Sequence, residues 1–252
     1  MKFLISKICF ILLLFLTTTV TINAAEDTVK VPSPKQLLEF NEDLTGDGRK
    51  ESIVLKGVKF SMETDYLKDA WVEIQLENNK KRKIPYDGGY NPNLEFLDLN
   101  HDKVLDIFYR SEGQGGLHNQ ALHTLSNGEL KEIQLPVQRY VKAYFTDGFR
   151  LEVKLSPEQK PYITNVKKRA SDYIQKGIYN KQGKLLTDGS VVMEPINRYE
   201  PVFINKQKGY GLKSYQQING TGHTDTIGSI ETLWYYENDN WLILKTKWIP
   251  SR

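Results

Sequence analysis

The sequence contains a single cysteine, Cys9, and this scarcity excludes two classes of protein. One thiol cannot build a disulfide framework within the chain, and it cannot supply a cysteine-rich zinc site. Net charge is scarce as well, because 34 lysines and arginines face 31 aspartates and glutamates, which leaves +3. Since nucleic-acid-binding proteins usually carry a marked basic excess, we expect no nucleic acid among the partners.

Long hydrophobic runs are confined to the N terminus. Residues 8–16 form an unbroken apolar stretch that follows Lys2 and Lys7 and precedes the small residues Asn23-Ala24-Ala25. A positive start, an apolar centre and a small-residue end are typical of a secretory signal peptide, here residues 1–25. A bilayer span needs about 20 apolar residues, so a retained anchor is the less favoured alternative. We predict a secreted protein, either free or associated with the cell wall, without a membrane span after signal cleavage.

The chain beyond the signal peptide divides by composition into three parts. Residues 26–36 are polar and contain Pro32 and Pro34, which predicts an extended linker. Residues 37–136 carry two acidic motifs, and residues 137–252 form a second predicted β region. Large all-β domains reach this combined size, so both regions can belong to one domain.

Alternation of apolar and polar residues at period two predicts a mainly β protein. Three stretches show it: Ile53, Leu55, Val58 and Phe60; Trp71, Val72, Ile74 and Leu76; Leu151, Val153 and Leu155. Turn-forming pairs separate such stretches, among them Asp87-Gly88-Gly89, Asp147-Gly148 and Asn219-Gly220. Only residues 163–176 have apolar residues at helical spacing. We therefore expect an antiparallel β assembly with at most one short helix.

Two acidic stretches place oxygen-bearing side chains at positions 1, 3, 5 and 9 of nine residues. The first loop, residues 43–51, provides Asp43, Thr45, Asp47 and Glu51, and the second loop, residues 98–106, provides Asp98, Asn100, Asp102 and Asp106. Position 7, which is Arg49 or Val104, would contribute its backbone carbonyl. Calcium takes six to eight oxygen ligands, and three carboxylates gathered in one loop repel each other unless a cation compensates. The pattern therefore predicts Ca²⁺ as the ligand of both loops.

The two loops differ at position 6, where the backbone needs a sharp turn. Gly48 provides it in the first loop, whereas the second loop has Lys103. A non-glycine residue with left-handed backbone costs roughly 1–2 kcal/mol, so we expect the second site to be the weaker. Neither loop is an EF-hand, because position 12 is Val54 or Tyr109 instead of glutamate.

The loop pattern, with apolar residues before it and a strand pattern after it, resembles the FG-GAP/VCBS-type repeat. Such repeats occur in integrin α-chain propellers and in secreted bacterial proteins, where the loop binds calcium between the strands of a blade. The resemblance covers about residues 38–135 and weakens at Thr45 and Lys103. Because two units cannot close a ring of 4–8 blades, it implies a small or partial propeller-like β assembly with hairpin calcium loops. It assigns the calcium ligands to positions 1, 3, 5, 7 and 9 of both loops.

Two stretches in the C-terminal half are compatible either with degenerate copies of this repeat or with ordinary hairpin turns. Residues 203–211 and residues 218–225 retain apolar residues and glycines in the expected order but have lost most of the acids. We assign no metal to them.

The sequence favours a secreted calcium-binding β protein that acts as a binding or structural module, with an extracellular protein or glycan as a further partner. Two alternatives stay open. An extracellular calcium-dependent hydrolase would need His101, Glu112 and His118 to converge in a cleft. A glycan-binding module would need exposed rings at Trp234 or Trp241. No nucleophile or pair of acid and base groups stands out, so an enzyme is the less favoured class.

Overall fold

A computed structural model describes residues 32–251 of the chain. The predicted signal peptide, residues 1–25, and the first part of the predicted linker lie outside the described residues. Residues 32–251 belong to one compact unit, and the first strand begins at Lys35, inside the predicted linker. None of the helices in this described range has the length and apolar character needed to cross a membrane.

The N-terminal half is a seven-stranded antiparallel meander in which each strand pairs with the next. Its strands are β1 Lys35–Glu42, β2 Glu51–Lys59, β3 Leu67–Gln75, β4 Lys81–Leu97, β5 Asp106–Glu112, β6 His118–Thr124 and β7 Lys131–Ile133. Every second residue of β2 is buried, so Ile53 and Leu55 pack against Val72 and Ile74 in one core. The predicted alternation is therefore confirmed here, although Phe60 lies beyond the end of β2 and is 68% exposed.

The predicted turn at Asp87-Gly88-Gly89 is wrong, because these residues lie inside β4. β4 pairs with β3 up to Gly89 and with β5 from Tyr90 onward. A β-carbon on Gly88 would collide with the backbone carbonyl of Leu67, and Gly89 has a φ of 130°. The two glycines therefore let one long strand change partners where side chains would block the approach of its neighbours.

The C-terminal half contains two smaller antiparallel sheets. The three-stranded sheet comprises β8 Lys142–Thr146, β9 Arg150–Lys154 and β10 Tyr162–Asn165, and the four-stranded sheet comprises β11 Val192–Asn205, β12 Gly209–Asn219, β13 Thr226–Glu237 and β14 Asn240–Pro250. The single α-helix of the described residues is α1, Ala170–Gln175. It lies within residues 163–176 but is shorter than predicted, since residues 163–165 belong to β10. The expected mainly β architecture with one short helix is confirmed.

Three buried clusters hold the sheets together. The first fills the meander around Ile53 and Ile74, and the second joins the three-stranded sheet to the four-stranded sheet through residues that include Leu151 and Ile230. The third connects the meander to the four-stranded sheet and contains Leu99 of the second loop together with residues such as Trp234. The second loop therefore lies at the seam between the meander and the four-stranded sheet.

The two C-terminal stretches that were compared with the acidic loops connect neighbouring antiparallel strands. Residues 206–208 join β11 to β12, and residues 220–225 join β12 to β13. In the former, the side-chain oxygen of Asn205 accepts the amides of Gln207 and Lys208, both at 2.9 Å. These stretches have the geometry of hairpin connections.

Candidate metal centre

Both acidic loops join antiparallel neighbours and share one anchor. Position 2 is a leucine with no exposed surface in either loop, Leu44 or Leu99. Its amide donates to the carboxylate at position 9, over 2.7 Å to Glu51 Oε2 and over 2.8 Å to Asp106 Oδ2. Position 9 is the first residue of the next strand, so the anchor closes each loop on the sheet.

The backbone turns at the same two positions in both loops. Positions 4 and 6 have positive φ: 79° at Gly46 and 85° at Gly48, and 66° at His101 and 71° at Lys103. At position 7, the amides of Arg49 and Val104 donate to the position-5 carboxylates, Asp47 and Asp102, over 2.8 and 2.9 Å. The common spacing therefore corresponds to a common backbone conformation, and the second loop adopts it with two side chains in the left-handed region.

The Asp43 carboxylate of the first loop is occupied by backbone donors. Its Oδ1 accepts the amides of Gly46 at 2.8 Å and Thr45 at 3.3 Å, and its Oδ2 accepts the amide of Gly48 at 2.8 Å. Desolvation raises the pKa of this carboxyl, but the amide hydrogen bonds outweigh it and leave the pKa below its ordinary value. The conformation thus stabilises the negative charge without a cation.

The other carboxylates of the first loop also have partners. Asp47 Oδ2 lies 3.2 Å from the guanidinium of Arg49, which also forms an ion pair with Glu77. Glu51 Oε1 accepts the hydroxyl of Thr45 over 3.4 Å. Backbone amides and an arginine therefore compensate the charge that the sequence assigned to calcium.

The second loop contains two buried carboxylate oxygens that accept no hydrogen bond from the described residues. Asp106 has no exposed surface, and its Oδ2 accepts the amides of Leu99 at 2.8 Å and Asn100 at 3.0 Å. Its Oδ1 is buried, as is Asp98 Oδ1, and neither has a hydrogen-bond partner among the described residues. Burial raises the pKa of Asp106 to about 7, against the lowering effect of the two amides and of the neighbouring Thr124 side chain. Buried polar atoms without partners are rare in native proteins, and a bound ion or water is one common explanation for them.

The predicted ligands do not meet at one point in this conformation. Within residues 32–251, no group of three or more histidine, cysteine, aspartate or glutamate side chains is arranged to hold a metal ion. In the second loop, Asp102 Oδ2 accepts the side-chain amide of Asn100 over 3.2 Å, and Asn100 Oδ1 accepts the amide of Asp102 over 2.9 Å. A cation bound by Asp98, Asn100, Asp102 and Asp106 would replace these local hydrogen bonds.

The second loop contacts both the first loop and the C-terminal sheet. A β-carbon built on Gly46 would lie 2.8 Å from Val104 Cγ2, so the two loops touch. On the other side, the ring of His101 stacks on Tyr235 of β13, with centroids 4.5 Å apart and an interplanar angle of 27°. The sequence indicated His101 only as a candidate hydrolase residue, and this packing role was not predicted.

The three residues required for the hydrolase alternative do not converge. Glu112 and His118 are direct partners across β5 and β6, at the end of β5 that is distant from the second loop. His101 precedes the other end of β5, which lies about 20 Å away at 3.3 Å per residue. This geometry provides no support for that alternative.

Of the two aromatic residues of the glycan-binding alternative, Trp234 is buried and Trp241 is half-buried. Trp234 is 3% exposed, and its indole nitrogen donates to the Ser214 hydroxyl over 2.8 Å. Trp241 donates to the Gln134 carbonyl over 2.8 Å and meets Tyr236 edge to face, at 69°. These two rings therefore do not form a flat exposed platform for stacking on a sugar.

A polar network near α1 escaped the sequence analysis. The Asp225 carboxylate accepts Arg169 Nε at 3.0 Å, the Tyr173 hydroxyl at 2.7 Å and the Thr221 amide at 3.0 Å. The one sequence signal was Gly220, where a β-carbon would meet both Asp225 and Tyr173. The network fastens the β12–β13 connection to the helix.

Comparison with known proteins gives two similarities. A family model described as the YybI C-terminal domain matches residues 139–249, a range that begins just before β8 and ends within β14. The protein named Uncharacterized protein YybI of Bacillus subtilis (strain 168) is 24% identical over 219 residues, and the match covers 81% of this chain and 80% of the relative. Both acidic loops precede the residues matched by the family model.

Proposed function

We propose that this chain is a secreted calcium-binding β protein that acts as a binding or structural module, with its principal cation in the second loop. The observation that supports the proposal is the pair of buried carboxylate oxygens, Asp98 Oδ1 and Asp106 Oδ1, that have no partner among the described residues. Burial disfavours a carboxylate whose oxygens are only partly hydrogen-bonded, and a hard cation with oxygen ligands would relieve it.

The donors in the two loops support the second loop as the stronger site, which reverses the order expected from position 6. Arg49 and three backbone amides already compensate the first loop, and calcium would have to displace them. In the second loop, Lys103 contributes its amide to Asp98 Oδ2 at 3.1 Å, and the positive φ of Lys103 is part of the observed conformation. The left-handed backbone of Lys103 at position 6 is therefore already present in the described conformation, and cation binding would not have to introduce it.

The chemistry of a bound calcium ion would be structural. It would attract the oxygens of the second loop and hold β4 and β5 in register at the seam with the four-stranded sheet. Extracellular modules commonly bind calcium with Kd values of roughly 10⁻⁴–10⁻³ M, and the predicted signal peptide, residues 1–25, supports such a location. A ligand that binds only the folded state raises stability by RT ln(1 + [L]/Kd).

Calorimetric titration with CaCl₂ and thermal unfolding with and without chelator test this proposal. We expect calcium to bind and to raise the melting temperature, and we expect Asp98→Asn and Asp106→Asn to abolish both effects. Asp188→Asn is the matched control, because Asp188 is an exposed aspartate whose Oδ1 accepts the Ser190 amide in another turn.

Two outcomes would contradict the proposal. Absence of binding heat and of stabilisation at millimolar calcium would show that the protein does not bind calcium. Retention of the full effect in Asp98→Asn and Asp106→Asn, with its loss in Asp43→Asn, would transfer the principal site to the first loop.

A further inference from the structure

We infer that cation binding by the second loop clamps the meander onto the four-stranded sheet, so that calcium affinity and the docking of β13 are coupled. The inference rests on the proposed function and adds a regulatory consequence to it. The observation that supports it is the position of His101, which lies between two predicted ligands and stacks on a residue of another sheet.

His101 occupies position 4 of the second loop, between Asn100 and Asp102. Its φ is 66°, and the centroid of its ring lies 4.5 Å from that of Tyr235. It also borders the β11–β12 turn, where a β-carbon on Gly209 would lie 3.7 Å from the imidazole. A residue in the middle of the candidate cation loop therefore contacts two elements of the C-terminal half.

Tyr235 is itself part of a wider contact. The ammonium group of Lys208, in the β11–β12 turn, lies 4.1 Å from the centroid of the Tyr235 ring. A cation and an aromatic ring at this distance attract each other. The ring of Tyr235 therefore joins the second loop, the β11–β12 turn and β13 in one cluster.

The seam beside this cluster is open. A cleft of about 440 Å³ has Asn100 and Asp102 on the loop side and Tyr236, Asn238 and Asp239 on the sheet side. The two predicted ligands that flank His101 thus face free space next to the β13–β14 hairpin. Their side chains have room to turn toward a cation without displacing the core.

The physical link is the short backbone between the ligands and His101. Leu99 and Asp106, both without exposed surface, fix the two ends of the loop. When a cation holds Asn100 and Asp102, the intervening His101 loses freedom and its stacked position is favoured. Linkage between two sites is reciprocal. If calcium strengthens the contact between His101 and Tyr235 by some factor, this contact raises the affinity for calcium by the same factor.

Calcium titration of Tyr235→Ala tests the coupling. Aromatic contacts contribute roughly 0.5–1.5 kcal/mol, so we expect the Kd for calcium to rise about two- to twelvefold although no ligand has changed. Tyr215→Ala is the matched control. Tyr215 lies in β12 of the same sheet, and its described contacts are with Glu200, Arg198 and Lys213. The control should bind calcium with the wild-type Kd.

A second variant and a second measurement test the coupling even if Tyr235→Ala does not fold. His101→Asn removes the ring and tolerates positive φ, so it should weaken calcium binding to a similar extent. In the wild-type protein, calcium should slow amide hydrogen exchange in β13 and β14, and His101→Asn should lose most of this protection.

The outcomes separate the inference from the proposed function. If the wild-type protein binds no calcium, both fail. If it binds calcium but Tyr235→Ala and His101→Asn keep the wild-type Kd, the coupling is wrong and the cation site stands. Unchanged hydrogen exchange in β13 and β14 on addition of calcium would also overturn the coupling.

Discussion

The side chain of Val104 covers the backbone of Gly46, and this contact joins the two acidic loops. A β-carbon on Gly46 would lie 2.8 Å from Val104 Cγ2, closer than real contacts allow, and the φ of 79° at Gly46 also disfavours any larger residue. Position 4 of one loop therefore depends on position 7 of the other. The two loops form a single structural feature in the fold.

Gly46→Ala should be clearly more destabilising than Gly48→Ala. Both positions have positive φ, which costs roughly 1–2 kcal/mol, but no described atom lies within 4 Å of a β-carbon on Gly48. Overpacking at Gly46 should add about 1–3 kcal/mol. Urea unfolding measures both values. Val104→Ala combined with Gly46→Ala should recover the added cost, and equal losses for the two single variants would contradict the contact.

Asp43→Ala should lower the melting temperature to the same extent with calcium and with chelator. The Asp43 carboxylate accepts hydrogen bonds from three backbone amides, and these bonds cause the net lowering of its pKa. A carboxyl with a lowered folded-state pKa stabilises the fold above its unfolded pKa of about 3.8, and the contribution is lost as pH falls through the folded value. Thermal scans of the wild type and of Asp43→Ala at neutral pH and near pH 3 measure how much of this contribution is lost in acid. A decrease seen only in calcium would instead identify the first loop as a cation site.

His123 should make the protein less stable in mild acid. Burial lowers the pKa of His123 below its ordinary value of 6.5, although the charge of Glu132 opposes the effect. The unfolded chain then binds more protons than the folded chain, so this contribution is present above pH 6.5 and is lost as pH falls through the folded-state pKa.

Urea midpoints measured between pH 8 and pH 5 show whether His123 has this effect. His123→Gln should lose less stability than the wild type over that interval. An identical pH dependence for the wild type and His123→Gln would refute the assignment.

Gly220→Ala should disrupt the network around Asp225. Its β-carbon would meet the Asp225 carboxylate and the Tyr173 hydroxyl, so the hydrogen bond between them would have to shift. We expect a loss of about 2 kcal/mol in the free energy of unfolding. Gly222→Ala, in the same connection, meets no described atom within 4 Å and should change stability by less than about 0.5 kcal/mol.

Local sequence patterns predicted the strands well where one face is buried. The alternation through Ile53 and Leu55 matches the buried residues of β2, because the side chains of a strand point alternately to its two faces. The same reasoning placed a turn at Asp87-Gly88-Gly89 and was wrong. Glycine pairs favour turns, but they also let backbones approach closely, and only the position of Leu67 distinguishes the two uses.

The relative strength of the two loops depends on more than the residue at position 6. Position 6 was compared because Gly48 and Lys103 differ in conformational preference. Whether a carboxylate is already compensated depends on burial and on the donors that surround it. Asp106 has no exposed surface, and it accepts the amide of Leu99, a member of the third core cluster, whose residues come from distant parts of the sequence.

Periodicity, turn chemistry and motif spacing were sufficient for the mainly β architecture, the short helix and the matching phase of the two loops. These features depend on side chains a few residues apart, so the linear order contains them. Long-range packing alone brings Val104 to Gly46 and His101 to Tyr235, and leaves the Asp106 carboxylate buried with one oxygen free of described partners. Burial and charge compensation depend on every neighbour in space, and those neighbours come from strands that are distant along the chain.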